Sequence, residues 1–277
     1  MVTLSDITNS ERFNNLHNEL TKADSIVLSF PKSGRTWLRS VLGEYFHLYY
    51  GVENTKHLNH NNHEKIFPRK QLGCPSVSFT HDYYSLERTY NQSWGQVQDL
   101  ITDFLYQEHY QNKKTIILLR DPIDCMVSFY HMHYNYSVNP YVDSMYNWFT
   151  SSNFNLDYVC KWYDCLFNSL QHLKNYKLLE YNNLKQNKDD WKMLIQFVTN
   201  HCDNEKLEKC LSNNSFEISQ NKELETFANK GQVIKNNNKL FVRKGGQDYQ
   251  LELDNDLQAY IRSHQHLMTI REKIKNA

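Results

Sequence analysis

The sequence predicts a single α/β domain, residues 1–277, with a central parallel sheet, helices on both faces and a P-loop-like strand-loop-helix near its start. Three observations carry this. Short apolar runs alternate with longer helical patterns, as repeated βα units require. Hydrophobic residues make up 40% of the 277 positions, enough for a continuous core. Eight glycines and five prolines are roughly 5% of the chain against a usual 12% or so, too few for a loop-dominated fold.

The elements follow in order. Phe13, Leu16 and Leu20 recur at helical spacing, so Ser10 to Ala23 is an amphipathic helix. Ser25 to Phe30 (SIVLSF) is a short apolar run suited to a buried strand, and the helix from Thr36 to about Tyr50 follows a tight loop. The pattern recurs: Ser76 to Thr80 is a strand, Gln96 to Tyr110 a helix, and Thr115 to Leu119 (TIILL) a strand. The next helix starts near Pro122, since proline is tolerated in a first turn. Tyr158 to Leu173 is an aromatic-rich helix, Lys177 to Tyr181 a strand, Trp191 to His201 a helix, and Asp256 to Ile274 the closing helix. Residues 51–75 and 229–253 show no regular pattern.

Composition excludes several classes. Lys plus Arg number 31 and Asp plus Glu 31, a balance without the bulk basic character of most nucleic-acid binders. No apolar run approaches membrane-spanning length. The opening residues lack the apolar region of a secretory signal. The six cysteines are scattered without a CxxC, as in reduced intracellular thiols, so the expected location is cytoplasmic. Neither HExxH nor a ligand-spaced Cys/His set is present, so no metal is expected.

Three segments can carry chemistry. In PKSGRTW, backbone amides and a helix N-terminus converge on one point; Lys32 and Arg35 add charge, and Ser33 and Thr36 add hydroxyls around Gly34. This is a phosphate cradle, although the GxxxxGK[ST] spacing of nucleotide kinases is absent. The bland reading is a basic βα turn. In RDPIDCMVS, Arg120 sits at the carboxyl end of a strand and Ser128 two helical turns on, a second anion site or a surface ion pair with Asp121 or Asp124. In FVRKGG, Arg243, Lys244 and Gly245 can wrap an anion, a run that also occurs in ordinary loops.

Taken together, these three segments resemble the cytosolic-type sulfotransferases that use 3′-phosphoadenosine 5′-phosphosulfate (PAPS). PKSGRTW is similar to their 5′-phosphosulfate loop, RDPIDCMVS to their 3′-phosphate motif, and FVRKGG to the late element closing over that phosphate. The resemblance runs from about Ser25 to Gly246. It implies that Lys32, Ser33, Gly34, Arg35 and Thr36 hold the 5′-phosphosulfate and that Trp37 stacks on adenine. Arg120, Ser128, Arg243, Lys244 and Gly245 would hold the 3′-phosphate. Tyr181 and Phe216 would contact the adenine.

The resemblance also implies the base. The family's Lys-Thr-His reads Phe79-Thr80-His81 here, so His81 would be the general base, with Lys32 and Ser128 beside it in catalysis. Against the family pattern Phe79 replaces a lysine, and the resemblance implies that Arg35, where threonine is usual, restores some of that charge. No KxxxTVxxxE motif stands near the C-terminus, so the family's usual dimer is not assumed and the oligomeric state is open.

The expected activity is sulfuryl transfer from PAPS, with 3′-phosphoadenosine 5′-phosphate (PAP) as product, to a hydroxyl or nitrogen of a small molecule, as in a bacterial tailoring pathway. Rival readings are a nucleotide-dependent phosphotransferase and a non-catalytic nucleotide-binding relative. Asp82, Tyr83, Tyr134, Asp143 and Trp148 are candidate acceptor contacts: aromatic faces plus carboxylates favour a cationic, alkaloid-type acceptor. The alternative is that the aromatics are core and the carboxylates solvated.

Overall fold

The computed structural model describes residues 4–52, 73–82, 104, 106–136, 144–151, 154–229 and 252–277. Four strands form one parallel sheet: β1 (Ser25–Ser29), β2 (Val77–Thr80), β3 (Lys114–Leu119) and β4 (Tyr176–Glu180), in the order β2-β1-β3-β4. Leu28 stands opposite Thr80 on one side and Ile117 on the other, and Ile117 opposite Leu178. The chain leaves β1 outward to β2 and returns to β3 on the opposite flank. The carboxyl ends of β1 and β3 therefore border the switch point where open α/β sheets bind ligands.

Alternation along the strands sorts the core into two layers. Ile26 and Leu28 of β1 and Ile117 and Leu119 of β3 face one layer; Val27, Ile116 and Leu118 face the other. The first layer takes α2 (Glu11–Lys22), α5 (Pro122–Tyr136), α6 (Met145–Thr150), α7 (Leu156–Leu170) and the C-terminal helices. The second takes α3 (Arg35–Tyr50), α9 (Lys188–Thr199) and α10 (Asn204–Asn213). The remaining described helices are α1 (Leu4–Thr8), α4 (Gln107–Asn112), α8 (Tyr181–Gln186) and α11 (Phe216–Asn229). Of the expected helix at 96–110, residues 96–103 and 105 lie outside the described residues, and the described helix spans Gln107–Asn112.

The closing helix differs from expectation. It is two helices, α12 (Asn255–Ser263) and α13 (Gln265–Lys275), interrupted by His264 at φ −81°, ψ 90°. Its ring accounts for the break: Nδ1 accepts from Leu267 N at 3.2 Å as an N-cap, and Nε2 meets Asp157 Oδ1 at 3.0 Å. The helix expected to run to Leu173 ends at Leu170, and the one expected from Trp191 starts at Lys188 because Asn187 caps it. All six cysteines are free thiols, five of them buried. Among the described residues no helix is long and apolar enough to cross a membrane.

Candidate active site

Strand β1 runs directly into the loop Phe30–Gly34. Lys32 (φ 68°) and Gly34 (φ 98°) both take left-handed backbone, which costs a non-glycine residue on the order of 1–3 kcal/mol. The Lys32 turn is braced from the next strand, because Arg120 Nη1 donates to the Lys32 carbonyl at 2.8 Å. Gly34 is the N-cap of α3 and carries no side chain to satisfy the first-turn amides of Arg35, Thr36 and Trp37. A 16-residue helix thus presents amides to whatever anion the loop holds. Ser33 and Arg35 are buried in this turn, and Lys32, Thr36 and Trp37 half-buried. Ser33 Oγ lies 3.6 Å from Cys125 Sγ; burial pushes that thiol up to about 12, so it is a neutral partner.

Arg120 follows β3 as the loop follows β1, which brings the two segments expected to bind phosphate together at the switch point. Its guanidinium lies 4.6 Å from the Tyr181 ring centroid and its Nε 3.5 Å from Asp124 Oδ2. Tyr163 donates its hydroxyl to the Arg120 carbonyl at 2.6 Å. Asp121 caps α5 by accepting from Ile123 N at 2.8 Å, and Arg271 of α13 grips the same carboxylate at 2.7 and 3.0 Å. Ser128 is half-buried two turns along α5.

Of the aromatic residues expected to frame the adenine, Trp37 and Tyr181 meet. Trp37 packs edge-on to Tyr181 (5.9 Å) and Trp191 (5.0 Å), and its Nε1 donates to the Asn214 carbonyl at 2.8 Å. That bond draws the segment leading to Phe216 against Trp37. Both Glu44 oxygens accept from the Asn213 and Asn214 carboxamides, at 2.5 and 2.6 Å, and hold it there.

His81 stands just past β2, opposite the end of β1. Its Nδ1 lies 2.5 Å from the Ser29 carbonyl, an acceptor only, so Nδ1 carries a proton. Trp162 Nε1 donates to the His81 carbonyl at 3.3 Å. Phe79 is 1% exposed within the second core layer, so an apolar ring fills the position where the family carries lysine.

Two expected acceptor contacts are placed elsewhere. Asp82 is fully buried; its Oδ2 accepts from the Tyr110 hydroxyl at 2.6 Å and from Tyr106 N at 3.3 Å. Trp148 is 3% exposed and packs edge-on to Phe129 at 5.3 Å in the first core layer. Among the described residues, the Asp82 carboxylate is held in a hydrogen-bonded clasp and the Trp148 indole sits in the core. Tyr83, Asp143, Arg243, Lys244 and Gly245, and the side chain of Tyr134, lie outside the described residues. Among the described residues no three His, Cys, Asp or Glu side chains are grouped to hold a metal ion.

The family description "Sulfotransferase domain" matches residues 22–276, nearly the whole chain. The chain belongs to this family and is a PAPS-dependent sulfotransferase. Mouse sulfotransferase 1B1 is 25% identical over 238 residues, covering 81% of this chain and 75% of that protein. Human sulfotransferase 6B1 is 28% identical over 189 residues, 64% of this chain and 55% of that protein. The solved structure of mouse sulfotransferase SULT7A1 complexed with PAP superposes with a TM-score of 0.53, covering 96% of this chain and 95% of that one at 16% identity. That likeness establishes the fold.

Several contacts around these loops are not visible in the sequence. The Glu44 clamp on Asn213 and Asn214 and the Arg271 grip on Asp121 join residues 150 or more apart, with no local pattern to reveal them. Lys185 did leave a signal: it stands four residues after Tyr181, one helical turn, and its ammonium lies 5.8 Å from the Tyr181 ring centroid.

Proposed function

We propose that this enzyme transfers the sulfuryl group by in-line displacement with His81 as general base. The acceptor oxygen or nitrogen attacks sulfur, and its proton passes to His81 Nε2. The bond from sulfur to the 5′-phosphate oxygen breaks, and PAP leaves. Lys32, with the first-turn amides of α3, stabilises the charge that grows on the leaving oxygen. Ser33, Gly34, Arg35 and Thr36 complete the 5′ cradle; Ser128 joins Lys32 near the transferred group, and Arg120, Ser128, Arg243, Lys244 and Gly245 take the 3′-phosphate. Trp37, Tyr181 and Phe216 frame the adenine. Positioning and fixed charge supply most of the rate, as in phosphoryl transfer.

One observation carries this reading: the 2.5 Å contact of His81 Nδ1 with Ser29, the last residue of β1. It orients a proton acceptor from the same strand end that opens the phosphate loop.

The acceptor is a small molecule with a hydroxyl or amine, in a cytoplasmic, bacterial tailoring setting. A cationic acceptor finds no support in Asp82 or Trp148, so that preference rests on Tyr83, Tyr134 and Asp143.

The test is titration with PAP, followed by a radiolabelled sulfate-transfer assay over phenols, alcohols, amines and guanidines. Tight PAP binding with transfer to at least one panel member is expected. Absence of PAP binding overturns the donor site; binding with no transfer across the panel overturns the catalytic reading.

A further inference from the structure

Tyr181 opens α8, and Lys185 follows one turn later on the same short helix. The Arg120 guanidinium lies 4.6 Å from the Tyr181 ring centroid, and the Lys185 ammonium 5.8 Å from the same centroid. Two cations are thus gathered on one ring. The ring attracts both, but the cations repel each other. Burial and the Arg120 charge together hold the Lys185 ammonium below the usual lysine range. Asp124 pairs with Arg120 and offsets one of the two charges. A dianionic phosphate at Arg120 would offset both, and the exposed Lys185 has a flexible four-carbon stem with which to reach it.

We propose that Lys185 is a second cation of the 3′-phosphate subsite, reaching across the Tyr181 ring to the phosphate held by Arg120. This rests on the assignment of Arg120 to the 3′-phosphate made above. Lys185 acts as a point charge at the edge of the site, whereas Arg120 supplies the fork. Its contribution is therefore selective: it favours nucleotides carrying a 3′-phosphate over those that lack one, and touches neither sulfur nor acceptor.

The experiment is isothermal titration of wild type, Lys185→Met and Lys185→Arg with PAP and with adenosine 5′-monophosphate. Melting temperature serves as the fold control for this exposed position. Lys185→Met should weaken PAP roughly tenfold, the worth of one charge-assisted contact, and leave the monophosphate within about twofold. Lys185→Arg should keep PAP affinity within about threefold of wild type. Unchanged PAP affinity in Lys185→Met, or equal losses for both nucleotides, overturns the proposal while the Arg120 assignment stands. Wild-type protein that binds both nucleotides alike removes the Arg120 assignment, and the role of Lys185 with it.

Discussion

Gly34 has no room for a side chain while Tyr181 holds its place: a β-carbon there would lie 2.3 Å from Tyr181 Cδ2 and 2.5 Å from Cε2. The φ of 98° adds a second constraint, since an L side chain is strained in that region wherever space exists. The contact couples the phosphate loop to the ring that also carries Arg120. Gly34→Ala should therefore disturb both of the proposed phosphate subsites at once. PAP affinity should fall by roughly tenfold or more, because a backbone penalty of about 1–2 kcal/mol adds to displacement of the ring. Gly34→Ala/Tyr181→Ala removes the clash but not the strain, so it should not return to wild-type affinity. Titration of both variants checks this; wild-type affinity in Gly34→Ala would refute the coupling.

His81→Asn separates the two tasks of the imidazole. The asparagine amide can still donate to the Ser29 carbonyl, but it has no lone pair basic enough to take the acceptor's proton. Turnover should fall by about 10²–10⁴-fold, the usual worth of a general base, with PAP affinity and melting temperature close to wild type. Single-turnover sulfate transfer is the measurement. A variant keeping more than about a third of the wild-type rate would remove His81 from the proton transfer.

The parallel sheet was legible because its strands are short apolar runs, each followed by a helical pattern. The segments proposed to hold the nucleotide stand out in the sequence because each is contiguous: Lys32 to Trp37, and Arg120 to Ser128. What sequence reasoning missed is long-range or directional. No spacing rule shows that Glu44 clamps Asn213 and Asn214, or that Arg271 reaches Asp121. Asp82 was misplaced for a directional reason: at φ 54° the backbone turns left-handed and carries the carboxylate inward to Tyr110. Trp148 and Phe149 belong to a run with the composition of a cavity wall, yet both are buried in the core. His264 interrupts a sequence with helical periodicity on both sides because its ring caps the next helix.

Asp82 belongs to the fold, with a stated cost of removal. Its carboxylate takes the hydroxyl of the fully buried Tyr110, whose pKa burial and the Asp82 charge raise well above the ordinary tyrosine value. Asp82→Ala deprives that hydroxyl of its acceptor and should cost about 1–3 kcal/mol in a denaturant titration. In Tyr110→Phe the same substitution should cost measurably less, since the two residues share one bond. Asp82→Asn should leave the preference between matched cationic and neutral acceptors unchanged. Selective loss of the cationic ones would return Asp82 to the acceptor site.

The last prediction concerns pH. Burial pushes the Asp124 carboxyl up from 3.8 to about 6, outweighing the pull of Arg120 at 3.5 Å. A carboxyl with a raised folded-state pKa binds its proton more tightly in the native state than in the unfolded one. Its stabilising contribution is therefore present below about pH 4, is lost as pH rises towards about 6, and is flat beyond. The change is on the order of 3 kcal/mol. Asp124→Asn abolishes this titration, so the stability difference between wild type and variant should shift against wild type across that window. Nucleotide binding should follow the same logic. A 3′-phosphate at Arg120 brings negative charge beside Asp124 and raises its pKa further, so PAP binding near pH 6 should take up a proton that Asp124→Asn does not. Titrations in buffers of different ionisation enthalpy read that proton directly. Equal uptake in both proteins would assign it to the phosphate alone and place the nucleotide away from Asp124.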